Sequence, residues 1–180
     1  MSGNIIAFSG THGTGKSTCA YSLAATLKLK GFNVAVIDEL ARECPLKINK
    51  DANLSTQYWI ISSQIKREIE IADKYDFIIT DRAVMDTVSY GVSLGLFDMN
   101  FGYFLKSHIL EMYAKIFVLN PQGFDYQVAD GVRDMCTFFR QDVHNNLVML
   151  YKTIGIDYQI VDCPDNLKEC VDSYFGRDIL

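Results

Sequence analysis

The run Gly10-Thr11-His12-Gly13-Thr14-Gly15-Lys16-Ser17 fits G-x-x-x-x-G-K-[ST] at every fixed position. The pattern has a physical reason. Gly10, Gly13 and Gly15 let the backbone turn tightly, so that successive N–H groups, those of Thr11 and Thr14 among them, point at phosphate oxygens beside the positive end of the next helix. Lys16 is spaced to reach the β and γ phosphates, and the Ser17 hydroxyl to meet Mg²⁺. Thr18 joins the nucleotide-binding set by position, although local packing or capping also suits its type. His12 stands at a variable position and reads as a plain loop residue. Together these residues predict binding of a nucleoside triphosphate, with ATP and Mg²⁺ as the cofactors.

Two shorter clusters carry acids and bases together: Ile37-Asp38-Glu39-Leu40-Ala41-Arg42 and Thr80-Asp81-Arg82. Asp81 closes an apolar run, where a carboxylate holds hydrated Mg²⁺, and Arg82 beside it suits an acceptor's phosphate or hydroxyl. Glu39 and Arg42, three apart, fall on one side of a helical turn. Glu39 is read as the base orienting an acceptor oxygen, with Asp38 competing for that role and Arg42 holding the acceptor; a surface ion pair is the plain alternative. His108 and His144 have no ligand spacing and read as structural. Gln57 and Gln64 lie on one helix face, suited either to a nucleobase or to solvent. Tyr58 and Trp59 read as packing residues, with base stacking as the alternative. Lys66, Arg67 and Lys74 interleave with Glu68, Glu70 and Asp73 as a salt-bridged surface.

The elements that must hold these groups follow from period. Nearly continuous β-rich runs at Asn4–Phe8, Asn33–Ile37, Asp76–Thr80, Lys115–Leu119 and Asp157–Val161 predict strands buried on both faces. Helical spacing marks Lys16–Lys30, ended by Gly31; Tyr58–Lys74, capped at Ser55 or Thr56; Ser107–Ala114; Phe138–Ile154; and a terminal helix near Cys163 and Cys170. Alternation of strand and helix predicts a three-layer α/β fold, with a mainly parallel five-stranded sheet and helices on both faces. In such sheets ligands gather beyond the carboxyl ends of the strands, so the three clusters should share one crevice. Asn120–Arg133 lacks a period and is the candidate mobile loop.

At 180 residues, 49% hydrophobic and 22% charged, the chain has enough apolar surface for one domain, 1–180, and too little charge excess for disorder. A net charge of −5 disfavours a nucleic-acid partner. No stretch has the length of a membrane span, and the start lacks a secretory pattern. Cys19, Cys44, Cys136, Cys163 and Cys170 include no C-x-x-C pair and suit reduced thiols. The expectation is a cytoplasmic protein with no membrane partner; a homodimer is compatible with it.

The order GTHGTGKS, ELAR, ITDR with Asp86 and Tyr90 following, then DGVR and a later FR, resembles the small P-loop ATPase/kinase family that includes ribosylnicotinamide kinase-like domains. It is also similar to nucleoside and nucleotide kinases such as thymidylate kinase. The resemblance spans Ile5 to about Tyr158. It implies that Glu39, Arg42, Asp81, Arg82, Asp86 and Tyr90 surround the acceptor, and that Arg133 and Arg140, of a lid region at about 121–140, close over the transferring phosphate. The stretch Met135–Phe139 departs from the acidic run expected there. The implied activity is ATP- and Mg²⁺-dependent phosphoryl transfer to a nucleoside, nucleotide or related small acceptor. A nucleotide-dependent switch acting on a partner protein is the alternative, and a polynucleotide 5′-end kinase is a third reading that the acidic balance disfavours.

Overall fold

The structure, a computed structural model, describes residues 3–123 and 137–176. Five strands, β1 (Ile5–Ser9), β2 (Val34–Ile37), β3 (Phe77–Asp81), β4 (Tyr113–Leu119) and β5 (Gln159–Val161), form one sheet in the order β2-β3-β1-β4-β5. Every pairing is parallel, with Ile5 opposite Ile78 on one side of β1 and Ser9 opposite Val118 on the other. Six helices accompany them: α1 (Lys16–Leu29), α2 (Leu54–Ile71), α3 (Val84–Ser93), α4 (Gly102–Met112), α5 (Thr137–Ile154) and α6 (Pro164–Phe175). This is the three-layer α/β fold, with a parallel five-stranded sheet between helices, that the strand–helix alternation predicts. Among the described residues, no helix is long and apolar enough to cross a membrane.

Alternation along the central strand builds the layers. Ile6 and Phe8 join Ala20, Leu23, Leu27 and Val171 of α1 and α6 on one face. Ala7, with Ile116 and Val118 of β4, faces Val84, Val88, Leu105, Leu147 and Leu150 of α3, α4 and α5 on the other. All five residues of β1 are buried. Each large apolar side chain so buried contributes roughly 1.5–3 kcal/mol, and a one-residue slip would exchange the two faces, so the register of β1 is firmly set. The carboxyl end of β1 thereby fixes where the glycine-rich loop begins.

Among the differences from the sequence reading, two helix boundaries and one burial bear on the site. The cap of α2 is Asn53, whose side chain accepts from Thr56 N in a capping box, so Thr56 is the third helical residue and not the cap. The helix expected at Ser107–Ala114 starts at Gly102 and yields to β4 at Tyr113, because Tyr113 pairs with Ile5. Glu68, expected on a salt-bridged surface, is fully buried.

Candidate active site

The loop between β1 and α1 is shaped by glycine. Gly10 and Gly15 have φ values of 143° and 75°, which side-chain-bearing residues rarely adopt. A Cβ on Gly10 would also lie 3.1 Å from the Leu119 carbonyl oxygen. Gly15 caps α1 without a side-chain hydrogen bond, and the first turn carries no acid. The first N–H groups of α1 are thus presented as an anion site. Asp86 grips the loop from α3: Ser9 Oγ and Gly10 N donate to it at 2.6 and 2.7 Å, and Ala83 N at 2.9 Å. Burial pushes the Asp86 carboxyl up, against the pull of Arg82, Lys16 and these donors. Tyr151 of α5 reaches the same spot, its hydroxyl 3.2 Å from Ser9 Oγ.

Lys16 is 5% exposed and donates to Thr11 O at 2.6 Å. Burial first, and the charge of Arg82 second, lower its ammonium from 10.5 to about 8, while Asp81, Glu39 and Asp86 pull upward. Ser17 donates to Asp81 Oδ2 at 2.5 Å. The other oxygen, Asp81 Oδ1, is buried and accepts no hydrogen bond. A hydroxyl beside an unsatisfied carboxylate oxygen next to a phosphate loop fits hydrated Mg²⁺, which takes few protein ligands and keeps its waters. Among the described residues no group of three or more His, Cys, Asp or Glu is placed to hold a metal ion; Ser17 and Asp81 are the candidate pair for Mg²⁺.

Across the cleft, Glu39 receives one arginine per oxygen. Arg82 Nε and Nη2 lie 2.7 and 2.6 Å from Oε1, and Arg42 Nε lies 2.9 Å from Oε2. Burial alone would raise the Glu39 carboxyl; Arg82, then Lys16, outweigh it and hold it well below the usual carboxylate range. Arg82 is 11% exposed and has φ 97°, a left-handed backbone rare for a side chain of its size. Such a conformation costs on the order of 1–3 kcal/mol and persists where neighbours enforce it, commonly at functional sites. Its guanidinium lies 5.2 Å from the centre of the Tyr90 ring and donates to Gly10 O at 3.3 Å. The Tyr90 hydroxyl is 2.8 Å from His12 Nδ1, and Arg140 Nε donates to His12 O at 3.2 Å.

A cleft of about 310 Å³ runs between these groups. His12, Gly13, Gly15, Lys16, Ser17 and Thr18 line one end, and Glu39, Arg42, Asp81 and Arg82 the middle. The rest of the lining is a chamber of Ile48, Ala52, Thr56, Gln57, Ile60, Thr87 and Tyr90, whose hydroxyl reaches His12. Gln57 is 3% exposed there, a buried amide within a mostly apolar wall. The sequence-derived residues therefore meet in one crevice, with three qualifications. Asp38 turns to the surface, where Tyr21 donates to it, leaving Glu39 as the acid that faces the cleft. Asp86 stands at the wall with its oxygens directed at the loop. Arg133 lies outside the described residues, and Arg140 is buried against His12. His12, read as a plain loop residue, joins α3 to α5 through Tyr90 and Arg140. The four-residue step from Asp86 to Tyr90 was the available signal for that link.

The AAA-domain family matches residues 5–169. A search of curated proteins finds no match. Among solved structures, thymidylate kinase from Ehrlichia chaffeensis is 18% identical over 95% of this chain and 98% of that one, with a TM-score of 0.66. The NadR protein in complex with NR is 21% identical, with a TM-score of 0.76 over 99% of this chain but 53% of that one. The chain thus spans about half of NadR. Identities this low show a common fold, whereas the family match runs from β1 into α6. The chain, which shares the fold of these two structures, belongs to the AAA-domain family.

Proposed function

We propose that the protein is a P-loop kinase that transfers the γ-phosphoryl group of ATP, with Mg²⁺, to a nucleoside, nucleotide or related small acceptor bound in the chamber. The observation that carries this reading is Glu39: a carboxylate kept ionised by two arginines, between the phosphate loop and the chamber of a largely apolar cleft. A protein that only hydrolyses nucleotide has no need of such a cavity. The likeness in fold to thymidylate kinase and to NadR bound to NR agrees with a small acceptor.

In this reading Lys16 and the first-turn N–H groups of α1 bind the β and γ phosphates, and Lys16 exchanges its bond to Thr11 O for phosphate oxygens. Ser17 and Asp81 hold Mg²⁺, which when bound neutralises charge on the phosphates. Glu39 accepts a hydrogen bond from the attacking hydroxyl. Its low basicity suits orientation, with proton release following the loose phosphoryl transfer. Arg82 fixes Glu39, Arg42 covers the mouth of the acceptor chamber, and Gln57 offers a donor and an acceptor to a ring edge.

The test is an acceptor screen that couples ADP release to a panel of nucleosides, monophosphates and nicotinamide riboside, with mass spectrometry of the products. A phosphorylated small molecule whose formation falls at least tenfold in Glu39→Gln supports the reading. The same slow release of ADP with every acceptor, and no phosphorylated product, would replace it with a nucleotide-dependent switch.

A further inference from the structure

Behind the site, away from the cleft, α2, α4 and β4 enclose a carboxylate that phosphoryl transfer does not use. Glu68 is fully buried, and its two oxygens engage three side chains. Tyr113 Oη donates to Oε1 at 2.6 Å, Gln64 Nε2 donates to Oε1 at 3.0 Å, and His108 Nε2 lies 2.6 Å from Oε2. Two of these partners reach further. Gln64 Nε2 also donates to the Arg82 carbonyl at 2.9 Å, and the Tyr113 hydroxyl accepts from Val84 N at 3.2 Å. The two contacts bracket Arg82-Ala83-Val84, the turn in which Arg82 holds its left-handed φ of 97°.

A backbone of this kind relaxes unless its neighbours over-determine it. Asp86 secures Ala83 N from the cleft side, but it sits inside the turn and leaves the flanking carbonyl and N–H to other partners. Those partners are Gln64 and Tyr113, and both are oriented by the same carboxylate. Packing alone would be served by apolar residues at these positions; a buried acid with three partners is costly, and it gives direction to groups that have alternative rotamers.

We propose that Glu68, acting through Gln64 and Tyr113, is a positioning residue that locks the Arg82–Val84 turn and so aims Arg82 at Glu39. It touches no substrate, and its influence on catalysis rests on the reading of Glu39 and Arg82 given above. When the lock is released, the turn moves toward an ordinary backbone, Arg82 draws away from Glu39, and the carboxylate loses its nearer cation.

The test uses Gln64→Met, which keeps size and loses the amide, and Tyr113→Phe, which loses only the hydroxyl. The first readout needs no turnover: carbon-13 NMR of the side-chain carboxyls, with the Glu39 signal assigned by its absence in Glu39→Gln. In the parent protein Glu39 should titrate well below the usual carboxylate range, and in either variant its inflection should move up toward that range, with Arg42 still bound at Oε2. The second is kinetics with the acceptor found by the screen: kcat about tenfold lower, KM for ATP within about twofold. Circular dichroism checks folding, and Tyr113→Phe alone decides if Gln64→Met fails to fold. Parent-like titration of Glu39 in a folded variant overturns the lock. A shifted Glu39 with unchanged kcat keeps the lock and overturns instead the catalytic reading of Glu39 and Arg82.

Discussion

In the proposed reading Lys16 must be charged to bind phosphate, yet it is buried beside Arg82, and the two demands give it opposite pH dependences in the free and bound protein. Its folded value of about 8 lies below the ordinary 10.5. Below about pH 8 both folded and unfolded chains carry the proton, and the native state bears the full burial penalty. Between about 8 and 10.5 the native state releases the proton while the unfolded chain keeps it, so stability rises with pH, by up to about 3 kcal/mol. Phosphate reverses the sign: a bound triphosphate raises the lysine, so affinity is greatest below about pH 8 and falls above it. Lys16→Met should therefore be more stable than the parent in urea at pH 7, lose the rise toward pH 10, and bind ATP at least a hundredfold more weakly. Parallel urea melts at pH 7 and 9.5, with ATP calorimetry, measure all three effects; equal stability of mutant and parent at pH 7 would refute the penalty. Asp81 offers a second test at this scale. Asp81→Asn should abolish the gain in nucleotide affinity on adding Mg²⁺ and leave binding in EDTA within about twofold, because in the proposed reading the carboxylate's charge and its unsatisfied Oδ1 hold the ion's water shell. Equal losses with and without Mg²⁺ would exclude that role.

How far the sequence could be read depends on the reach of each element's determinants. The strands and the glycine loop were legible because their causes are contiguous: apolar runs buried on both faces, and glycines at fixed steps before a helix. The end of α4 was not, since Met112-Tyr113-Ala114 suits a helix locally and only the pairing of Tyr113 with Ile5 turns it into strand. The same holds within the site. Asp81 and Arg82 are visible beside their strand, but the Arg82–Glu39 pair joins residues 43 apart, and Glu68 among alternating charges looks like solvent-facing surface until α4 and β4 cover it. Helix α2 shows how a small misreading matters. Its true cap, Asn53, sets the helical phase that turns Thr56, Gln57 and Ile60 into the chamber and Gln64 and Glu68 toward the Arg82 turn. Asn53→Ala removes the bond to Thr56 N and should cost about 1 kcal/mol. Fraying then begins at the chamber wall, so KM for the acceptor should rise severalfold while ATP affinity stays unchanged. An unaltered acceptor KM in a variant destabilised by that amount would separate the cap from the site.

The whole molecule converges on the loop at the carboxyl edge of the sheet. Helix α3 holds it through Asp86 and Tyr90, α5 through Arg140 and Tyr151, and β3 supplies Asp81 and Arg82. Ligands that fill the cleft add contacts between elements that the core and these bonds already join, which makes global stability a gauge of binding at both ends. ADP with Mg²⁺ at about a hundred times its Kd should add roughly 2.7 kcal/mol. For a chain of this length that raises Tm by roughly 5–10 °C, and Lys16→Ala should remove the effect. An acceptor gives the sharper result. The Arg82–Tyr90–His12 chain links the Glu39 side of the cleft to the phosphate loop, so nucleotide and acceptor should stabilise together by more than the sum of their separate shifts. Tyr90→Phe, which lacks the hydroxyl facing His12, should bring the combined shift back to simple addition while leaving the ADP shift nearly intact. Thermal melts of parent and Tyr90→Phe with ADP, with acceptor and with both measure this directly. Simple addition in the parent would mean that the two ends of the cleft bind independently; no shift with any acceptor that the screen phosphorylates would move the acceptor site out of the chamber.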